Sequence, residues 1–171
     1  MSAPRLTPTS YVVLGLIDQL GTATSYDLKR AAAVGVGHFW SLPHTQLYTE
    51  PARLAAAGLL SERREQTGRR RKLYSLTKRG GQALEDWRRT PTADLYEIRD
   101  AGLLRLYFGA DPRELAAAQL EAHRLCLRDL EGYMDGAGAA EIPEGVRLAL
   151  EAGIGHEREY VRFWSALLAS R

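Results

Sequence analysis

Four cations in a row, Arg69, Arg70, Arg71 and Lys72, follow Gly68 where the chain turns between two strand-like segments. Guanidinium and ammonium groups gathered on a turn suit phosphate oxygens or a minor groove. Arg71 and Lys72 stand close enough to the second segment to be partly spent on the strand face. About twenty residues upstream, Gln46 and Arg53 are the side chains that match base edges bidentately, glutamine to adenine and arginine to guanine. Tyr48 can carry its hydroxyl to a phosphate, and Thr45 and Thr49 are small polar neighbours. The candidate DNA-contacting set is therefore Thr45, Gln46, Tyr48, Thr49, Arg53, Arg69, Arg70, Arg71 and Lys72.

Other chemistry finds little support. His156-Glu157-Arg158-Glu159-Tyr160 opens like a zinc-protease motif, but Tyr160 stands where the second histidine is required. Gly35-Val36-Gly37 follows a helix rather than a strand and has Trp40 in the place of the third glycine of a dinucleotide fingerprint. Cys126 has His123 three residues before it, a spacing that marks no nucleophile. No Ser/His/Asp arrangement stands out. The reading is of a chain that is not an enzyme and has no catalytic residues, metal site or cofactor.

The elements that position the basic residues can be read from periodicity. Thr7-Pro8-Thr9-Ser10 starts a helix whose stripe is Val13, Leu16, Ile17 and Leu20, stopped by Gly21. Thr24 or Ser25 caps a second helix, to about Val34. Gly35-Val36-Gly37 breaks it, and His38-Phe39-Trp40 is expected to tuck under the first helix. From Thr45 to Ala57, Leu47, Pro51, Leu54 and Ala55 fall on one helical face, with Thr45, Thr49, Ala52, Arg53 and Ala56 opposite and Gln46 on the flank. Gly58 ends this helix. Leu59 to Arg63 and Lys72 to Leu76 read as the strands of a hairpin that turns at Thr67-Gly68. Thr77 caps a fourth helix, and Thr90-Pro91-Thr92 marks a boundary. A helix followed by a hairpin with a cationic tip is the outline of a winged helix-turn-helix. Beyond the boundary, Leu95 to Phe108 is expected to form one helix, closed by Gly109. Asp111-Pro112-Arg113-Glu114 starts another, to about Asp135, and Pro143 leads into the last, Glu144 to Leu168.

The fold class is thus mainly α: residues 1–90 a winged helix-turn-helix domain with a small two-stranded wing, residues 91–171 an α-helical dimerisation and effector domain. Within the second part, Leu115, Ala118, Ala122, Leu125, Cys126 and Tyr133 form one apolar face. Leu120, Leu127 and Met134 recur every seventh residue on another, a spacing suited to a partner helix. With Trp164 they are the expected dimer contacts; the alternative is a compact monomeric bundle closed over the first half. Trp40, Tyr96, Tyr107 and Phe108 could line an effector pocket between the halves.

Composition agrees with this division. Residues 1–90 hold 14 Lys/Arg against 7 Asp/Glu, and residues 91–171 hold 9 against 14. A basic first half and an acidic second half place a polyanion against the first. The single cysteine excludes an intramolecular disulfide and fits a reducing, cytoplasmic location. The longest apolar run, Tyr11 to Ile17, is short of the roughly 20 residues a membrane span needs, and its polar start makes a poor signal peptide.

Several motifs resemble the PadR family of bacterial transcriptional regulators. Ser25-Tyr26-Asp27-Leu28 is similar to its helix-two motif, where glycine often precedes the tyrosine. Phe39-Trp40, Gln46-Leu47-Tyr48 and Leu54 to Leu59 resemble its recognition-helix region. The run Gly68 to Gly80 resembles its wing and following helix, and Leu95 to Phe108, with Trp164, resembles the longer C-terminal arm of one subfamily. The resemblance implies a homodimeric winged-helix repressor on a palindromic double-stranded operator, released by a small aromatic effector, with no membrane partner. Two departures stand out. Ser25 replaces the glycine, and Pro51 lies inside the recognition helix, where it removes a backbone bond and clashes with the Leu47 carbonyl. The rival reading is a winged-helix protein-interaction module without sequence-specific DNA binding.

Overall fold

The computed structural model describes residues 5–66, 70–95, 97–136 and 141–169. The chain divides into two compact units, Met1–Asp94 and Leu95–Arg171. The first unit contains α1 (Pro8–Leu20), β1 (Thr22–Ala23), α2 (Ser25–Val34), a 3-10 turn (Val36–His38), α3 (His44–Ala56), β2 (Leu60–Arg64), β3 (Lys72–Leu76) and α4 (Lys78–Arg89).

Its helices begin where side chains replace missing backbone partners. Thr7 and Ser10 form a reciprocal capping box on α1, and Thr24 and Asp27 form another on α2. Val13, Leu14 and Ile17 of α1, Leu28 of α2, Leu47 and Leu54 of α3, Tyr74 of β3 and Leu84 of α4 meet in one core. The sheet is antiparallel, in the order β1-β3-β2, with Glu62 opposite Tyr74 and Thr22 opposite Ser75. The third strand, β1, goes beyond the two-stranded wing read from the sequence. Two residues are too short to show alternation, and they form a strand only because β3 offers them a paired edge. The connector after α2 is also corrected. Phe39 and Trp40 are 67% and 43% exposed rather than tucked beneath α1.

A tight corner joins α3 to the hairpin and to α4. Gly58 adopts φ 73°, and the N–H groups of Gly58 and Leu59 bond back to the carbonyls of Ala55 and Leu54. This is a Schellman closure, which favours glycine in the left-handed region. The Thr77 hydroxyl donates to the carbonyls of Gly58 and Leu59, at 2.8 and 3.0 Å, and accepts from the Gly80 N–H at 3.1 Å. Gly80 lies so close that a Cβ there would stand 2.0 Å from the Leu59 carbonyl oxygen.

The second unit contains α5 (Ala101–Tyr107), α6 (Pro112–Asp135) and α7 (Glu144–Ala169). Asp111 caps α6 by accepting from Arg113 N and Glu114 N, as the sequence suggested. The helix expected from Leu95 begins only at Ala101, because Asp100 adopts an extended backbone and caps the turn that starts there. Leu95 and Ile98 remain exposed.

Packing of α6 on α7 overturns the face assignment. Leu120 and Trp164 are buried with Ala116 in one cluster. Leu127 and Met134 pack on a second, formed by Leu130, Leu150 and Ile154. The heptad residues thus face the chain's own neighbouring helix. Heptad spacing reports that a long helix lies along another, not which chain supplies it. Of the other apolar face, Leu115 and Cys126 also pack on these clusters, while Ala118, Ala122, Leu125 and Tyr133 are exposed.

Adjacent glycines test the corner. Gly80→Ala should lower unfolding free energy by at least about 3 kcal/mol, because the clash is with backbone. Gly81→Ala has nothing within 4 Å and should stabilise by up to about 1 kcal/mol. Thermal and urea denaturation of the two variants measures both. In the second unit, Leu120→Ala should cost about 2–5 kcal/mol, read by the same means.

Candidate nucleic-acid interface

Helix α3 presents three distinct stripes. Leu47, Pro51 and Leu54 are buried in the core. Gln46, Glu50 and Arg53, at i, i+4 and i+7, form a polar stripe whose members all bond to the first turn of α1 or the residues before it. Thr45, Tyr48 and Thr49 are exposed, with half-buried Ala52 beside them, and make a third stripe of small side chains and one tyrosine. The helix runs unbroken from His44 to Ala56 through Pro51, and the Thr49 hydroxyl donates to the Thr45 carbonyl at 3.2 Å.

The polar stripe is heavily bonded. The Gln46 Oε1 accepts from the Thr9 hydroxyl at 2.8 Å. Arg53 donates from Nε to Glu50 Oε2 at 2.8 Å and from Nη2 to Glu50 Oε1 at 2.5 Å. Nη2 also reaches the Ser10 hydroxyl at 3.0 Å, and Nη1 the Arg5 carbonyl at 3.4 Å. Four of the five Arg53 N–H donors already have acceptors, so the bidentate guanine contact expected of it would have to displace one of these bonds. Hydrogen bonding from Arg53 holds the Glu50 carboxyl below the usual glutamate range. Burial opposes this and the Ser10 bond adds to it.

The cations of the wing divide in the same way. Arg71 forks onto Glu65, with Nε to Oε2 and Nη2 to Oε1 both at 3.0 Å. Lys72 Nζ pairs with Glu62 at 3.0 Å. Their charges are therefore largely matched within the hairpin. Arg63, Arg64 and Arg70 are exposed and make no ion pair among the described residues. Arg64 faces Lys72 across the strands, a like-charge pair that a polyanion would relieve. Arg70 has φ 48°, a conformation costly for a side chain with a Cβ. Arg69 and the turn at Thr67-Gly68 lie outside the described residues.

The aromatic candidates are distributed over both units. Trp40 belongs to the first and is half-exposed; Tyr107 and Phe108 belong to the second, meet edge-to-face with centroids 5.2 Å apart, and are 84% and 78% exposed. Tyr96 lies outside the described residues. Ser10 and Glu50 went unrecognised in the sequence. Only the i,i+3 spacing of Glu50 and Arg53 hinted at them. Among the described residues, no helix is long and apolar enough to cross a membrane.

A helix with one bare stripe, flanked by a hairpin carrying unpaired arginines, defines a winged-helix protein of the regulator class. Residues 13–86 match the transcriptional regulator PadR-like family, so the chain carries a PadR-like domain. It is 29% identical to the negative transcriptional regulator PadR of Bacillus subtilis, over 93% of this chain and 94% of that protein. The crystal structure of Bacillus subtilis PadR in complex with operator DNA superposes with a TM-score of 0.81 at 28% identity, covering 97% of this chain and 99% of the other. The structure of the same protein in complex with p-coumaric acid gives 0.73 at 28% identity, over 94% and 96%.

Because Glu50 has a depressed folded pKa, its contribution to stability is fully present above the ordinary glutamate value of about 4.3. It is lost as pH falls through the folded value. The melting-temperature gap between wild type and Glu50→Gln should therefore persist from pH 7 to about 5 and close on further acidification. A gap that does not change down to pH 3 would show that the charge of Glu50 is not what stabilises.

Proposed function

We propose that the chain binds double-stranded DNA as a homodimer at a palindromic operator, represses transcription, and is released by a small aromatic compound. The observation that carries this reading is the pairing of a bare α3 stripe with unpaired wing arginines on a winged-helix unit. Thr45, Tyr48 and Thr49 would face the major groove. Gln46 would join them through Nε2, which has no partner among the described residues, while Oε1 stays with Thr9. A donor presented this way suits acceptor edges such as guanine N7 and O6. Arg70, with Arg69, would reach phosphates or the minor groove, and Arg71 and Lys72 would support them from within the hairpin.

The relatives support the regulatory side. The Bacillus subtilis protein carries the name of a negative regulator and has been crystallised with operator DNA and with p-coumaric acid. The exposed aromatics Trp40, Tyr107 and Phe108, with Tyr96, remain the candidates for effector contact. Dimerisation belongs to the second unit, Leu95–Arg171, through surface left after α6 and α7 have packed on each other. The protein acts in the cytoplasm and is not an enzyme.

A salt titration on duplex DNA tests this. Replacing Arg69 and Arg70 by alanine should weaken binding about equally on operator and scrambled duplex, and flatten the slope of log affinity against log salt by roughly 3 to 4 units for a dimer. Gln46→Ala should cost about 1–3 kcal/mol, mainly on the operator, because base contacts specify while phosphate contacts position. A wild-type slope for the arginine variant would mean that the wing does not touch DNA.

A further inference from the structure

An acidic residue on a helix that lies against DNA repels phosphates. Glu50 is such a residue, central in α3 and only 12% exposed in its side chain. Its surroundings supply a reason for it. Ser10 is fully buried, and a serine hydroxyl has one proton to give and two lone pairs to fill. The proton goes to Glu50 Oε1 at 2.6 Å, and the oxygen accepts from the Thr7 N–H at 2.9 Å and from Arg53 Nη2 at 3.0 Å. Arg53 closes the ring by forking onto both Glu50 oxygens.

Resting on the DNA-binding reading above, we propose that Ser10 and Glu50 are positioning residues: with Arg53 they lock α3 to the first turn of α1 and set the rotation at which its bare stripe meets DNA, while Arg53 itself reads no base. Leu47, Pro51 and Leu54 set how deeply α3 sits, but apolar contact is non-directional. Successive residues stand about 100° apart around a helix axis, so turning the helix by a fraction of that swings Thr45 and Thr49 off target. Charge-assisted bonds are directional, and two of them, from Ser10 to Glu50 and from Arg53 to Ser10, cross between α1 and α3 on the flank next to the bare stripe, while the Arg53–Glu50 fork holds both side chains in place within α3. It also absorbs the charge of Glu50, so the acid costs little near DNA.

The lock makes a prediction opposite in sign to simple electrostatics. The test uses full-length protein, a duplex enriched by the wild type from a random pool, and a scrambled duplex of equal composition. Glu50→Gln removes a negative charge, yet should weaken binding to the enriched duplex by on the order of tenfold and leave the scrambled duplex within about twofold. Arg53→Gln should do the same with an unchanged salt slope, and the double variant should be no worse than either single one, as members of one network behave. Arg53→Lys retains the charge and cannot fork. It is the variant to use if Glu50→Gln melts below the assay temperature, and it should show the same selective loss.

Tighter binding of Glu50→Gln to both duplexes would overturn the proposal, reducing Glu50 to a repelling charge. So would a drop in the Arg53→Gln slope of roughly 2 units, the mark of one phosphate contact per protomer, or wild-type selectivity in Arg53→Lys. If the wild type itself bound no duplex in a salt-dependent way, the DNA-binding reading would fall and take this one with it.

Discussion

The contact between Gly80 and the Leu59 carbonyl constrains the whole first unit. At this point α4 passes so close to the link between α3 and β2 that no Cβ fits between them. Thr77 ties the corner together, donating to two consecutive carbonyls at the end of α3 while capping α4. Helix α3, the root of β3 and the start of α4 are therefore set against one another by backbone contact, which cannot be adjusted by rotamer changes. A winged helix needs this, because the helix and the wing must reach one DNA molecule at a fixed separation. Any expansion of the corner would move α3 and β3 apart.

Charge is distributed unevenly over this frame. The run of four basic residues suggests a uniform cationic tip, but Arg71 and Lys72 are matched by Glu65 and Glu62. Arg53 is likewise matched by Glu50. The exposed wing pairs contribute little stability individually. Their larger effect is on recognition, since a paired guanidinium is neither mobile nor unsatisfied. What the wing leaves for a polyanion, among the described residues, is Arg63, Arg64 and Arg70, beside the uncharged stripe of α3. The structure thus separates cations that hold the domain's shape from cations that face outward.

The second unit is built on a different principle. Two apolar clusters, one around Trp164 and one around Ile154, hold α6 to α7. Between them His123 Nδ1 lies 2.6 Å from Glu157 Oε2, with the His123 ring 4.6 Å from that of Tyr160. Burial, reinforced by Glu157, pushes the Cys126 thiol above its ordinary range. That makes it a packed structural thiol rather than a nucleophile. A polar section between two apolar ones fixes the register of the helices, since sliding by one turn would bury Glu157 against leucines.

Much of this was legible in the sequence. The helix starts at Thr7–Ser10 and at Thr24 or Ser25, the caps at Thr77 and Asp111, the stop at Gly58, the hairpin strands and the buried face of α3 follow from local chemistry: a hydroxyl or carboxylate replaces a missing partner, and a stripe of one periodicity has one place to go. Assignments that depended on which distant surface a residue meets could not be read this way. Leu120 and Leu127 show heptad spacing whether the neighbouring helix is intramolecular or not, and only the packing of α7 identified it. The segment from Leu95 looks helical, but the cap at Asp100 delays the helix to Ala101. Arg53 looks like a base reader until Glu50 and Ser10, 43 residues away along the chain, are seen to bind it. Local sequence determined where elements start, stop and turn their apolar faces, because those depend on neighbours within a few residues. The tertiary structure decided which polar groups are left unpaired, because that depends on what folding brings beside them.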